Sequence, residues 1–362
     1  MYLRMPLWPE CPPKSWRTEV RAQHMPPDHQ TLDLSVVLVS YNSKDVILSA
    51  IAPLVDVEGL DIVVVDNNSQ DSTVRELEMQ FPSVRIMKMP ENLGFAKAVN
   101  RGVESCESEA IMLLNPDAVV GLDSVRALVG ALSGPCSGIV APLIVDEGSR
   151  LGILPAGRFP TIWRMLLHYS GISRTSGAWR ALWGHYLLPT NVSPAPVSVD
   201  WVTGACMVFS KQTWDLAGGL TEKWFMYAED IDFCFRVKSL GLSVVLLPEA
   251  TAHHLVGQSD SSGSFRANPA WILNLHDFYR AQLSRSAIHS ISWCLVVSVG
   301  LLTRSWAYWL RSLDGRNADV GWSYEAARFR LFSVAVVKRA LSARNNRSDR
   351  QTISVAFSDP DE

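Results

Sequence analysis

Short β-branched runs separated by helix-length segments constrain this chain more than any other feature. Leu34–Ser40 (LSVVLVS), Asp61–Asp66 (DIVVVD) and Ala110–Leu114 (AIMLL) read as strands buried on both faces, with Val84–Met89 as a further strand. Between them, residues Lys44–Val55, Asp71–Phe81 and Ala96–Cys106 read as helices, the second capped by Asp71 or Ser72. Alternation at this spacing predicts an α/β fold whose first half is a parallel sheet covered on both faces. Its ligands belong beyond the carboxyl ends of the strands.

Those ends are polar. Ser40-Tyr41-Asn42 follows the first strand, Asp66-Asn67-Asn68-Ser69-Gln70-Asp71 the second, and Asn115-Pro116-Asp117 the fourth. Converging on one edge, they make a crevice suited to a nucleotide, in which Asp66 could accept hydrogen bonds from a base or ribose. The competing reading makes Asp66 and Ser69 simple helix caps. No G-x-G-x-x-G follows the first strand and no P-loop occurs. A diphosphate would then need a divalent metal on carboxylate oxygen, and Asp117 is the natural ligand.

Later in the chain, strand signals return at Val199–Phe209 and Leu242–Leu247, flanking a helix over Asp230–Leu240. Residues 147–198 are rich in Gly, Pro and Trp with weak periodicity. Glu229, Asp230 and Asp232 crowd a predicted helix start, where acids are favoured by the helix dipole, and Asp232 with Arg236 has the spacing of an ion pair.

Six segments, VVLVSYNS (36–43), DIVVVDNNSQDST (61–73), ENLGFAKAVNRG (91–102), LLNPDAVV (113–120), the stretch 200–236 and HHLVGQS (253–259), resemble the inverting, nucleotide-sugar-dependent glycosyltransferase family 2, and within it the rhamnosyltransferase-like branch. The resemblance implies a GT-A fold. It implies Asp230 as catalytic base with Glu229 beside it, and a donor site drawn from Tyr41, Asn42, Asp66, Asn68, Gly94, Asn100, Arg101, Asn115, Trp201 and Gly204. Asp117 takes the last place of the family's D-x-D metal motif, with Asn115 in the first. His254 is its second ligand and His253 the close alternative. The expected cofactor is Mg²⁺ or Mn²⁺. The expected activity is transfer of a sugar, L-rhamnose from dTDP-L-rhamnose, to a cell-envelope polysaccharide or polyprenyl-linked glycolipid. Another nucleotide-sugar, or a non-catalytic scaffold on the same fold, is the alternative. No Q-x-x-R-W motif is present, so addition of one or a few sugars is expected.

A net charge of −3 gives no reason to expect nucleic-acid binding, yet the average conceals a split. Residues 264–350 hold 13 basic and 5 acidic side chains, so the rest of the chain is strongly acidic. Within that basic region Ala287–Leu302 is an uncharged, mainly apolar stretch flanked by Arg285, Arg304, Arg311 and several Trp. At ~24 Å it falls short of the ~30 Å hydrocarbon core. It reads as a helix lying on or dipping into the cytoplasmic membrane face, with a core helix or a true span as the alternatives. The expected organisation is a Pro-rich arm (1–32), a GT-A domain (33–263), a helical membrane-associating region (264–341) and a disordered tail (342–362). The N-terminus lacks a signal-peptide run, and six scattered cysteines read as reduced thiols of a cytoplasmic protein. Homodimerisation is left open.

Overall fold

The computed structural model describes residues 32–134, 136–146, 154–175, 179–254, 267–313 and 321–345. The Pro-rich arm therefore lies outside the described residues, as does the motif from Leu255 onward. The first half folds as the alternation predicts: β1 (Leu34–Ser40), α1 (Ile47–Ile51), β2 (Leu60–Asp66), α2 (Thr73–Gln80), β3 (Arg85–Lys88), α3 (Phe95–Glu104) and β4 (Ala110–Leu114). The strands lie in the order β3-β2-β1-β4, all parallel. Val37, Val63 and Val65 pack against α3, while Val36, Leu38 and Val64 face the α1 and α2 side, so each strand is apolar on both faces because each face is covered. The register pairs Ser40 with Asp66 at the carboxyl ends.

The second half is mixed. After β5 (Ala118–Val120), α4 (Leu122–Leu132), β6 (Ser137–Asp146), β7 (Leu154–Gly157), α5 (Ile162–Ser170) and β8 (Tyr186–Leu187), the predicted strand 199–209 is three strands in two sheets. They are β9 (Val197–Val199), β10 (Trp201–Val202) and β11 (Cys206–Ser210). β11 runs antiparallel to β4 in the main sheet, while β10 joins β7 and β8 in a small sheet. The break falls at Thr203-Gly204-Ala205, where the backbone leaves one sheet for the other.

Following α6 (Lys211–Ala217) and α7 (Glu229–Ser239), β12 (Ser243–His254) runs well past Leu247. It pairs with β6 on either side of an irregularity between Leu247 and Thr251, then with β5. Among the described residues the main sheet has nine strands, parallel where the βα units predict it and mixed beyond β4. This meets the α/β, GT-A-like expectation.

The chain closes with α8 (Ala270–Phe278), α9 (Ala287–Ser312) and α10 (Trp322–Asn345). α9 does not stop at Leu302. Arg304 continues it because its guanidinium donates to His168 Nε2 of α5 at 2.8 Å and lies over the Tyr169 ring, and the helix of 26 residues is ~39 Å long. One face, including Trp293, Val297 and Leu301, is buried against the domain, and the other exposes Leu295, Val299, Trp306 and Trp309. α10 passes the expected boundary at 341. Cys106, Cys206, Cys234 and Cys294 are free and buried. Cys136 is disulfide-bonded, which corrects the expectation of reduced thiols throughout.

Candidate active site

The carboxyl ends of β1, β2 and β4 meet at one edge, and hydrogen bonds knit their polar clusters together. Asp66 is 3% exposed; its Oδ1 accepts from Ser40 Oγ at 3.1 Å and its Oδ2 from the Ser69 amide at 3.0 Å. It caps no helix, since α2 begins only at Thr73. A carboxylate has about four acceptor sites, so capacity remains for a ligand. Asn42 (φ 51°) and Asn68 (φ 67°) take the left-handed turns that Asn tolerates. The Asn42 amide donates to Ser69 Oγ at 2.9 Å, and its side-chain oxygen accepts from the Gln70 amide at 2.7 Å. Tyr41 stands exposed above this edge.

A second tier joins the polar cluster after β2 to the 91–102 segment. Asn67 Nδ2 donates to Asn92 Oδ1 at 2.7 Å, Asn67 Oδ1 accepts from the Leu93 amide at 2.9 Å, and Asn92 Oδ1 also accepts from the Gly94 amide at 3.1 Å. This amide pair ties the end of β2 to the start of α3. Gly94 (φ 81°) is required there: a Cβ would sit 2.6 Å from the Phe225 carbonyl oxygen. The close approach is thus to the protein's own backbone. The Phe95 amide donates to that same carbonyl at 2.9 Å.

Asn100 and Arg101, expected near the donor, are placed elsewhere. Asn100 Nδ2 donates to the Leu220 carbonyl and Glu222 while its Oδ1 accepts from the Leu220 amide, a clamp between α3 and the segment after α6. Arg101 is exposed and pairs with Glu104 at 3.1 Å. Trp201 is 4% exposed in the small sheet, stacked on His185 and donating to the Arg158 carbonyl at 3.2 Å.

β5 and β12 bring together residues far apart in sequence. Their antiparallel register sets His254 opposite Ala118, the neighbour of Asp117. His254 Nε2 lies 3.0 Å from Asp117 Oδ1, with only 19% and 8% of the two side chains exposed. Strand alternation sends the neighbouring His253 to the other face, where it is exposed. The geometry at His254 Nε2 is not that of a hydrogen bond, and two lone-pair donors converging in this way fit a shared cation. Among the described residues no third His, Cys, Asp or Glu joins them, so a metal here would take its remaining ligands from water and a bound diphosphate. Asn115 holds this turn in place through its amide, which donates to the Ala205 carbonyl at 2.8 Å.

That contact leads to the acidic pair. Gly204, next to Ala205, donates its amide to Asp230 Oδ2 at 3.2 Å, and the Ile231 amide donates to Asp230 Oδ1 at 2.8 Å. Burial raises the Asp230 carboxyl above its ordinary range, while the two amides oppose that shift. Glu229 is 4% exposed, its Oε2 has no hydrogen-bond partner, and burial together with the adjacent Asp230 charge pushes its pKa up to about 8. Both oxygens of Asp230 accept a backbone amide, whereas Glu229 Oε2 has no partner, so Asp230 ionises first and Glu229 keeps the proton. Asp232, by contrast, is structural: Arg236 Nε donates to it at 2.8 Å and Gln282 Nε2 at 3.0 Å.

A βα half ending in a polar edge, a carboxylate–imidazole pair, and a carboxylate presented by a helix start are thus linked through the ends of the sheet strands. Residues 35–187 match the family described as Glycosyl transferase family 2. Over that segment the chain is similar to glycosyltransferase family 2, and the relatives it matches include rhamnosyltransferases. It is 29% identical over 210 residues to N-acetylglucosaminyl-diphospho-decaprenol L-rhamnosyltransferase of Mycobacterium tuberculosis, covering 54% of this chain and 66% of that enzyme, just under two thirds of its length. It is 24% identical over 243 residues to rhamnosyltransferase WbbL of Escherichia coli K12, covering 63% and 85%. The solved structure of mannosyltransferase PcManGT from Pyrobaculum calidifontis with GDP-Man and Mn²⁺ is similar at a TM-score of 0.46 and 15% identity, covering 89% of this chain and 90% of that one.

Proposed function

We propose that the protein is an inverting glycosyltransferase that moves L-rhamnose from dTDP-L-rhamnose to a polyprenyl-linked glycolipid or envelope polysaccharide. The observation that carries this reading is Asp230, a half-buried carboxylate held by two backbone amides, one of them from Gly204 beside the end of β4. Asp66 and the turns at Tyr41, Asn42 and Asn68 bind the nucleoside. Asp117 and His254 hold a divalent cation, Mg²⁺ or Mn²⁺, which when bound neutralises charge on the departing diphosphate. Asp230 takes the proton from the acceptor hydroxyl as that oxygen bonds to the anomeric carbon, and the bond from that carbon to the diphosphate oxygen breaks with its electron pair. Glu229, kept neutral, leaves the base without a second negative charge beside it. The choice of L-rhamnose rests on the two rhamnosyltransferase relatives.

The acceptor's lipid class fits the exposed surface of the C-terminal helices. Leu295, Val299, Leu302, Trp306 and Trp309 follow one another at helical spacing along the outer face of α9, all 46% exposed or more. They suit the headgroup boundary of an anionic cytoplasmic leaflet, with the basic surplus of this region nearby. α9 is long and apolar enough to cross a membrane, but its Trp293 face is built into the domain, which supports surface contact.

The test is turnover of dTDP-L-rhamnose with Mg²⁺ or Mn²⁺ and a polyprenyl-diphospho-sugar acceptor. Asp230→Asn is expected to lower kcat by 10²–10⁴-fold, the usual worth of a general base, while leaving donor binding intact. Absence of binding and of turnover for every nucleotide-sugar in a panel would overturn the reading.

A further inference from the structure

We propose that Asn274, on α8, is a positioning residue that fixes the loop delivering Glu229 and Asp230, so that the C-terminal helices form part of the catalytic framework. The role in catalysis rests on the reading of Asp230 as base.

The loop Trp224–Ala228 carries backbone strain just before α7. Tyr227 (φ 74°) and Ala228 (φ 76°) are consecutive non-glycine residues in the left-handed region, a conformation costing roughly 1–3 kcal/mol each. Ala228 is also the N-cap of α7 and offers no side-chain cap, so nothing local dictates where that helix begins. Trp224 and Ala228 at its two ends are buried in the core, while the side chains of Phe225, Met226 and Tyr227 between them are exposed. The backbone is held from outside at two points. On the donor side, the Phe95 amide donates to the Phe225 carbonyl at 2.9 Å. On the tail side, Asn274 Nδ2 donates to the Met226 carbonyl at 2.8 Å and reaches the Tyr227 carbonyl at 3.5 Å.

Asn is a poor helix former because its side chain competes for backbone groups, and in α8 that side chain is spent on another segment's backbone. α8 can serve as a fixed post because its own seat is firm. Ile272, Leu275 and Phe278 are buried, His276 Nε2 meets Ser290 Oγ at 2.8 Å, and Arg339 of α10 donates to Asp277. The segment following α8 adds a second tie to α7, through Gln282 and Asp232. A region that reads from sequence as a membrane-associating appendage thus holds the backbone two to three residues before the catalytic pair.

Hydrogen–deuterium exchange on the full chain reads the loop without substrate. In Asn274→Ala, amides of residues 225–231 are expected to exchange roughly fivefold faster, the worth of one neutral hydrogen bond, with α3 and β1 unchanged. Asn274→Asp keeps the shape, removes the donor and is expected to match it; Asn274→Gln restores a donor and is expected to recover part of the protection. With dTDP-L-rhamnose and Mg²⁺, kcat is expected to fall by a similar factor with donor KM unchanged. Unchanged loop exchange in the Ala and Asp variants overturns the proposal, as does a loss of protection spread over the whole chain. A loosened loop with undiminished kcat overturns the catalytic role. If the wild type turns over no nucleotide-sugar, the functional reading fails while exchange still decides whether Asn274 anchors the loop.

Discussion

Replacing Glu229 by glutamine should flatten the pH dependence of stability. The Glu229 carboxyl rises from 4.5 to about 8 on folding because it is buried beside Asp230. Between those values the unfolded chain releases the proton and the folded chain retains it, so stability falls as pH climbs and levels off above about pH 8. At ~1.4 kcal/mol per pH unit, the full loss is about 5 kcal/mol. Glutamine cannot ionise and copies the neutral form, so this loss disappears in Glu229→Gln, whereas the raised Asp230 carboxyl contributes the same sign in both proteins. Urea unfolding followed by tryptophan fluorescence at pH 5 and pH 8.5 reads the difference. The two proteins should lie close to one another at pH 5, where glutamine copies the neutral carboxyl that the folded chain holds. At pH 8.5 the variant should be more stable by several kcal/mol, up to the ~5 kcal/mol limit. Parallel pH profiles would refute the assignment of the retained proton to Glu229.

Three further outcomes are expected. Asp117→Asn and His254→Ala should each abolish the thermal shift that Mn²⁺ produces in the presence of dTDP, while dTDP alone still shifts the melt through Asp66; an unaltered Mn²⁺ shift in both variants would remove the pair as a cation site. Gly94→Ala forces a Cβ to 2.6 Å from the Phe225 carbonyl at φ 81°. It should cost at least ~1–3 kcal/mol in urea unfolding, and a change under 0.5 kcal/mol would contradict the close approach. Leu295→Asp with Trp306→Asp, both on an exposed face, should reduce co-sedimentation with anionic vesicles at least tenfold without changing the melting temperature, and equal sedimentation would sink the membrane-surface reading.

Much of the site was legible in sequence because it hangs on elements that local pattern defines. β1, β2 and β4 are runs whose composition admits little besides buried strands, and their ends carry Ser40, Asp66 and Asn115 to one edge by register alone. The acidic helix start at Glu229 was equally visible. The single strand read over 199–209 failed because apolar residues stand on both sides of Thr203-Gly204, whereas the backbone changes sheets there and frees an amide for Asp230. Arg101 and Asn100 share a motif with Gly94, yet helical rotation turns one to solvent and the other toward Leu220.

The amino-acid sequence by itself determined the alternation of strand and helix, the polar ends of the strands, and the basic, apolar character of the C-terminal region, because each is a property of neighbouring residues. Only the tertiary structure decided that His254 rather than His253 meets Asp117, since that follows from the pairing of β5 with β12 across a strand irregularity. It alone showed that the Gly204 amide reaches Asp230 while Glu229 Oε2 has no partner, and that Asn274 reaches the loop before them. Charge, hydrogen bonding and burial at these positions are set by partners brought close through packing, and local sequence pattern does not encode which distant partners those will be.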